Sequence, residues 1–298
     1  MSDEDIPQRR LRPGQTSRIR VWDRESGQTS TLFASTSRLY EAPNWTPDGQ
    51  LLVNGDGRLW LLPVDGSGPP RQIPAEGLPD VNNDHVLAPD GRSVFASAND
   101  WHIWEVPLAG GPVRRVTQDE GMHFLHGVSP DGRLLGYVRL EPDGENWWAS
   151  ATVNVVGVDG KDDVRLTSDP GPADGCEWTP DGAWIVFNTE QFSQQPGHAQ
   201  LARIRPDGTG LEQLTFDERV NWFPHVAPTG DVAVYLSYPS GTTGHPADLP
   251  VELRLVRVDD WQQPTTVVTL FGGQGTINVP SWAPDGSAFA FVDYPIDA

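Results

Sequence analysis

Three of the seven histidines lie at nearly the same distance before a recurring turn whose sequence is Ser/Thr/Ala-Pro-Asp-Gly. His85 and His126 come four residues before the proline of that turn, whereas His225 and Glu177 come three residues before it. Imidazole nitrogens and a carboxylate gathered at one point suit a divalent metal ion. We therefore predict these four residues as ligands of Mn, Ca, Zn or Fe. The alternative is that the histidines only bond to neighbouring backbone or water.

Asparagine and tryptophan are frequent near the same turns and in the longer segments between them. Flat indole rings stack well on sugars, and a glycine-rich stretch around residue 274 would bring backbone close to a ligand. The predicted substrate-binding residues are Asn44, Asn83, Trp147, Trp148, Trp222, Gln274 and Asn278.

The recurring turn also indicates the fold. Proline presets φ, aspartate bonds back to the backbone, and glycine accepts the positive φ that completes a tight turn. The turn occurs six times, with Thr229 replacing aspartate in the fifth copy; the copies begin at Thr46, Ala88, Ser129, Thr179, Ala227 and Ala283. A short apolar run follows each copy, and such runs are typical of β-strands.

Four strands per unit, repeated without a helical pattern, are typical of β-propeller blades. The six units predict an all-β fold, a six-bladed β-propeller of four-stranded blades. Residues 18–22 and 29–33 form a strand pair that no turn unit precedes, and the last unit ends after one strand. We predict that this N-terminal pair completes the sixth blade and closes the ring. Residues 17–298 then form a single propeller, and residues 1–16 form a flexible tail.

Equivalent positions in different blades of a propeller converge on the central axis. The residues before each turn begin the innermost strands, so the four predicted ligands would face one another where the central channel opens. The long irregular segments, residues 141–148, 190–200 and 239–250, are predicted on the same face. Binding usually occurs on such loops of a rigid scaffold. The sequence therefore predicts a functional pocket at this end of the channel.

The composition excludes several partners. Lys and Arg number 21 against 41 Asp and Glu, and the net charge of −20 repels nucleic acids and anionic membranes. One cysteine, Cys176, excludes an internal disulfide. No apolar run resembles a signal peptide or could span a bilayer, so we predict a cytoplasmic protein. Its predicted partners are a small molecule or a protein, with no nucleic acid and no membrane.

Residues 18–293 resemble the repeats of the TolB-type propeller family. The family pattern is Trp-Ser-Pro-Asp-Gly, then an apolar strand, an Asp-Gly turn and a closing Leu-Thr. Segments such as Trp178–Gly182 and the pair Leu214–Thr215 follow it in this chain. Members include protein-binding modules, peptidase gates and carbohydrate lyases, so the resemblance implies the fold more than the activity.

The predicted ligand set is also similar to that of the oligogalacturonate-lyase propellers, in which histidines and a glutamine hold a divalent cation. The likeness rests on His85, His126, His225 and Gln274, and those lyases are longer and have seven blades. It implies a cation that neutralises a sugar carboxylate or polarises a carbonyl, and a nearby base that takes the proton. His123 and His245 are the candidate bases.

Two functional hypotheses follow. The first is a metal-dependent lyase or hydrolase acting on a carbohydrate, and it is favoured by the concentration of His, Asn, Asp and Glu near the axis. The second is a non-catalytic TolB-like module for protein–protein interaction. Serine and thiol hydrolysis are disfavoured, because the sequence has no Gly-x-Ser-x-Gly motif and no positioned partner for Cys176.

Overall fold

The computed structural model describes residues 9–144, 146, 148, 150–168 and 171–296. Regular structure in these residues consists of 25 strands, which form six main sheets and one two-stranded sheet. The described residues contain no helix that could cross a membrane. The six sheets are the blades of a propeller, which confirms the predicted all-β fold.

The strands run outward from the axis in each blade. The N-terminal strands are β1 (Ser17–Asp23) and β2 (Thr29–Ser35). Blade one contains β3 (Glu41–Trp45), β4 (Gln50–Gly55), β5 (Arg58–Pro63) and β6 (Arg71–Gln72), and a short β7 (Ala75–Glu76) follows it. Blade two contains β8 (Val81–Leu87), β9 (Ser93–Ala98), β10 (Ile103–Pro107) and β12 (Arg114–Arg115), and a short β11 (Gly111–Pro112) lies between β10 and β12 in the chain. Strands β7 and β11 pair separately as the two-stranded parallel sheet.

The next three blades are four-stranded as well. Blade three contains β13 (Met122–Val128), β14 (Leu134–Leu140), β15 (Ala151–Gly157) and β16 (Val164–Arg165). Blade four contains β17 (Ala173–Trp178), β18 (Ile185–Thr189), β19 (Gln200–Ile204) and β20 (Glu212–Gln213). Blade five contains β21 (Val220–Val226), β22 (Val232–Tyr238), β23 (Leu249–Arg257) and β24 (Asp260–Gly272), and the chain ends its strands with β25 (Ala288–Asp293).

The predicted turns form in all six copies. In the first copy, Gly49 has a φ of 78° and its N–H donates to the Thr46 carbonyl at 3.2 Å. The fifth copy turns in the same way despite its threonine, because Gly230 has a φ of 74° and donates to the Ala227 carbonyl at 2.8 Å. Proline and glycine are therefore sufficient for this turn.

The first and last strands close the ring. Strand β1 lies antiparallel between β2 and β25, with Arg18 opposite Asp293, as predicted. Both Arg18 and Arg20 pair with the buried Asp293 carboxylate. The innermost position of this sixth blade is held by residues 276–282, where Ala290 N–H donates to the Ser281 carbonyl at 2.9 Å. This segment meets β25 through one isolated bridge rather than a regular ladder.

Close packing joins neighbouring blades. Trp178 of blade four is buried against Gly136 of blade three, and a Cβ atom at Gly136 would lie 2.7 Å from the indole ring. Only glycine allows the two blades to approach this closely. Such packing holds the innermost strands at fixed positions around the channel, which is the condition for a preorganised site.

The described part of the N-terminal segment, residues 9–16, lies against the ring. Gln15 is buried, and its side-chain amide donates to Asp248 at 2.7 Å and to the Tyr294 carbonyl at 3.1 Å. Strand β1 begins at Ser17. The flexibility of residues 1–16 stays a prediction.

Candidate functional site

The innermost strands of blades one to five each break their ladder at one point. The breaks lie between Glu41 and Asn44, Val81 and His85, Leu125 and Gly127, Asp174 and Glu177, and Trp222 and His225. Such bulges insert an extra residue and re-aim side chains. We call the end of the channel at which these strands begin the channel mouth.

Four charged or titratable residues form a cluster at the channel mouth, the mouth cluster of Asp84, His126, Asp174 and His245. Asp174 lies between two imidazoles. Its Oδ1 is 2.8 Å from Nε2 of His126, and its Oδ2 is 3.5 Å from Nε2 of His245. His126 belongs to blade three, Asp174 to blade four and His245 to the loop between β22 and β23. The cluster therefore exists only in the folded ring.

Burial and mutual attraction shift the pKa values within the mouth cluster. Burial alone would lower the pKa of His126, but Asp174 and Asp84 raise it to about 9. Burial would raise the pKa of Asp174, but His126 and His245 hold it well below its usual range. Burial raises the pKa of Asp84 to about 6, against the opposing charge of His126. At neutral pH, His126 is a buried cation and Asp174 a buried anion.

A chain of amides fixes the ring of His245. Its Nδ1 lies 2.5 Å from Oε1 of Gln274, which also accepts from the Asn278 amide at 3.0 Å. The Gln274 amide nitrogen donates to Oδ1 of Asn83 at 3.1 Å. Because Gln274 presents an acceptor, Nδ1 of His245 carries the proton. The other ring nitrogen, Nε2, faces the Asp174 carboxylate at 3.5 Å.

Aromatic rings surround His245. Its ring centroid lies 4.4 Å from Trp222, 5.2 Å from Phe223 and 5.8 Å from Trp148. Trp222 and Phe223 are buried, whereas Trp148 is half-buried. Trp222 thus has no free face for stacking and instead supports His245, while Trp148 keeps exposed ring surface. Trp147 lies outside the described residues.

Polar atoms near this group lack partners. Among the described residues, Nδ1 of His126 and Nε1 of Trp222 are buried without a hydrogen bond. The indole nitrogen of Trp222 carries hydrogen and is an unused donor, whereas the His126 ring also interacts with the Asn278 carbonyl. Buried polar atoms are normally satisfied. The channel mouth therefore has hydrogen-bonding capacity that the protein itself does not use.

A second set of polar residues lies one step further along the innermost strands. In this inner ring, Asn44 donates to the Pro280 carbonyl at 2.7 Å, and its Oδ1 lies 2.9 Å from Nδ1 of His85. The Asn44 oxygen requires a proton on Nδ1 of His85, so Nε2 holds the lone pair and is buried without a partner among the described residues. Burial lowers the pKa of His85 to about 3.

Glu177 and His225 complete the inner ring. Oε2 of Glu177 lies 2.5 Å from Nδ1 of His225, and Nε2 of His225 lies 2.6 Å from the Ile277 carbonyl. Burial raises the pKa of Glu177, with His225 opposing the shift. Both nitrogens of His225 are thus engaged by protein oxygens. This histidine has no nitrogen left for a metal ion.

The predicted ligand set does not fit a metal ion. Across the ranges that the structure describes, no group of three or more His, Cys, Asp or Glu residues is arranged to hold one. The bulges in the innermost strands explain why the four predicted ligands do not meet at one point. His85, Glu177 and His225 follow their bulges, but His126 lies within its own and turns toward Asp174 instead. The four residues therefore divide between the mouth cluster and the inner ring.

His123, one of the two candidate bases, lies apart from both groups. Its Nδ1 is 2.9 Å from the Trp101 carbonyl, and its Nε2 is 2.7 Å from Asp119. Its ring packs against His102 and Tyr137. These contacts are with blades two and three and none is with the mouth cluster, so of the two candidates only His245 belongs to that cluster.

The sequence analysis missed Asp84 and Asp174, although both belong to the stretches before the turns. They come five and six residues before their prolines, one residue before His85 and three residues before Glu177 respectively. It also missed Arg9 and Asp248, which meet at the channel mouth with a 2.9 Å ion pair. No motif marked that pair in the sequence.

Comparison with known proteins assigns the family. The chain is 37% identical over 265 residues to the uncharacterized protein Atu1656 of Agrobacterium fabrum, covering 87% of this chain and 86% of that protein. A solved structure from Agrobacterium tumefaciens, named “putative TolB”, matches with a TM-score of 0.87 and 34% identity, over 94% of this chain and 99% of that one. The chain belongs to this family of TolB-like six-bladed β-propellers.

More distant structures share the fold alone. An oligogalacturonate lyase in complex with manganese matches with a TM-score of 0.59 at 16% identity, over 94% of this chain and 78% of that one. A second oligogalacturonate lyase, from Vibrio parahaemolyticus, matches with a TM-score of 0.55 at 12% identity, over 92% of this chain and 96% of that one. No protein-family model matches the sequence.

Proposed function

We propose that the channel mouth binds a small, uncharged, hydroxyl-rich ligand, a short carbohydrate, and transfers a proton to or from it in a lyase- or hydrolase-type reaction. The observation that carries this proposal is the buried, unused donor Nε1 of Trp222, whose ring lies 4.4 Å from the His245 ring. A hydroxyl oxygen of a sugar would accept from it. A ligand that satisfied buried donors would recover the cost of leaving them unpaired.

The walls of the site suit such a ligand. Trp148 offers a partly exposed aromatic face, and the half-buried Gln274 connects the buried amides of Asn83 and Asn278 to the His245 ring. Pockets of this kind combine an apolar surface with a few placed polar groups. The net charge of −20 disfavours a polyanion and favours a neutral sugar.

His245 is the proposed proton-transfer group. Gln274 accepts from Nδ1, so Nε2 is the nitrogen through which the ring would exchange a proton with the ligand. Asp174 lies beside this same nitrogen, and its negative charge would stabilise the imidazolium. His126 keeps Asp174 ionised by lowering its pKa. No step is assigned to a metal ion, because His225 bonds to Glu177 and to the Ile277 carbonyl, whereas His126 turns away from them to Asp174.

Titration calorimetry with a panel of short neutral and acidic oligosaccharides tests the proposal. We expect a neutral member to bind the wild type, and His245→Gln and Trp222→Phe to weaken binding about tenfold, the effect of losing one hydrogen bond. Trp222→Phe keeps the aromatic packing while removing the donor. Trp261→Phe is the matched control. The buried Nε1 of Trp261 also lacks a partner among the described residues, but Trp261 lies in β24, the outermost strand of blade five.

Two outcomes would contradict the proposal. Failure of every sugar to bind the wild type would favour the alternative, a non-catalytic module that binds a protein. Equal loss of binding in Trp261→Phe and Trp222→Phe would mean that general destabilisation, not a lost donor, is responsible.

A further inference from the structure

Arg9 penetrates the channel mouth from the N-terminal segment. Its guanidinium lies 3.0 Å from Oε1 of Glu41 and 2.9 Å from Oδ1 of Asp248, and it donates to the Gln274 carbonyl at 2.7 Å. The guanidinium carbon also lies 4.1 Å from the centre of the Tyr294 ring. Only 19% of the side chain is exposed. Few surface arginines have this many buried contacts.

These contacts join the two segments that fix His245. Asp248 ends the same loop three residues after His245, and Gln274 is the residue whose side chain accepts from His245. Arg9 binds the first through its carboxylate and the second through its carbonyl. Arg9 therefore bridges the loop and the glycine-rich segment around residue 274, which also meet directly where the Gln274 N–H donates to the Pro246 carbonyl at 3.3 Å.

Neighbouring residues of the N-terminal segment strengthen the same attachment. Asp248 also forms an ion pair with Arg12 at 3.1 Å and accepts from Gln15 at 2.7 Å. Asp248 has a φ of 62°, which is strained for a residue other than glycine. Three side chains bound to one carboxylate hold this residue in a conformation that it rarely adopts alone.

We propose that residues 9–15 form a strap across the channel mouth, and that Arg9 is a positioning residue that holds His245 and Gln274 in register. The planar fork of arginine can bind two carboxylates and a carbonyl at once, which a lysine ammonium cannot do in the same geometry. The consequence for ligand binding rests on the function proposed above, whereas the ordering of the two segments does not.

Amide hydrogen exchange of the ligand-free protein tests the strap. In Arg9→Gln we expect exchange in residues 239–248 and 273–278 to rise at least tenfold, with β4, β9 and β14 unchanged. Arg10→Gln is the matched control, because Arg10 is the adjacent arginine and is exposed. Arg9→Lys keeps the charge and should give an intermediate increase, and it remains informative if Arg9→Gln does not fold.

Ligand binding provides a separate readout. If a sugar binds the wild type, Arg9→Gln should weaken it with little change in Arg10→Gln. If amide exchange in both segments is unchanged in Arg9→Gln and Arg9→Lys, the strap is overturned, whether or not a sugar binds the wild type. Faster exchange in Arg9→Gln, with no sugar bound by the wild type, would support the strap and refute only the proposed function.

Discussion

Nε2 of His126 lies 2.8 Å from Oδ1 of Asp174, across the boundary between blades three and four. Both side chains are almost fully buried. Such a pair stabilises the folded state only while both groups are charged, since a lone buried charge is costly. The contact thus makes the stability of the whole ring depend on the protonation of one histidine.

The first prediction concerns alkaline pH. The pKa of His126 is raised to about 9 in the folded state, above the value of about 6.5 for an unperturbed histidine. Its stabilising contribution is therefore complete below pH 6.5 and is lost as the pH rises through 9. The free energy of unfolding should fall by about 3 kcal/mol over this interval. Urea unfolding at pH 6.5 and 9.5 measures the change.

The histidine variants separate His126 from other titrating groups. The His126→Gln variant should be less stable than the wild type at pH 6.5. Its free energy of unfolding should then fall much less between pH 6.5 and 9.5. His102→Gln should keep the full decline, because burial lowers rather than raises the pKa of His102. A decline that persists unaltered in His126→Gln would assign the pH dependence to other residues.

The second prediction concerns the buried pair of Glu177 and His225. His225→Leu leaves the Glu177 carboxylate without its partner, and we expect a loss of about 3–5 kcal/mol. Adding Glu177→Leu should recover part of this loss, because the double variant buries no unpaired charge. Arg257→Leu at the exposed pair with Asp259 is the control and should cost less than 1 kcal/mol. Strictly additive losses at Glu177 and His225 would argue against direct coupling.

The third prediction concerns Gly275, which has a φ of 85°. A Cβ atom there would lie 2.3 Å from Oε1 of Glu41 and 2.7 Å from the hydroxyl of Tyr294. Gly241 has a similar φ of 82°, but a Cβ atom added at Gly241 would have no other atom within 4 Å. Gly241→Ala should therefore cost only the backbone strain, about 1 kcal/mol, and Gly275→Ala clearly more. Equal thermal shifts would mean that the Glu41 contact is easily displaced.

The fourth prediction concerns metal content. Since both nitrogens of His225 contact protein oxygens, protein purified without a histidine tag should contain well under one equivalent of metal by elemental analysis. The value should not change in the double variant His85→Ala/His225→Ala. One equivalent in the wild type, lost in the double variant, would restore the four-ligand hypothesis.

The fold could be predicted from the sequence because each Pro-Asp-Gly turn specifies its own geometry locally. The site could be predicted only to the level of the channel mouth. A bulge moves His126 out of register with His85, and a difference of one residue changes the partner of a side chain. Sequence spacing carries no sign of that shift. Arg9 was missed because its partners, Glu41 and Asp248, are distant in the chain and meet only after the ring closes.

The pairing of β1 with β25 also constrains how the protein is made. Arg18 leaves the ribosome early, but its partner Asp293 is synthesised only after all the intervening blades. Until then the edge of β1 is unpaired, and such an edge can bind other nascent chains. Ring closure is therefore a late, long-range event, and a pause in translation before residue 288 would leave five blades built and the sixth open.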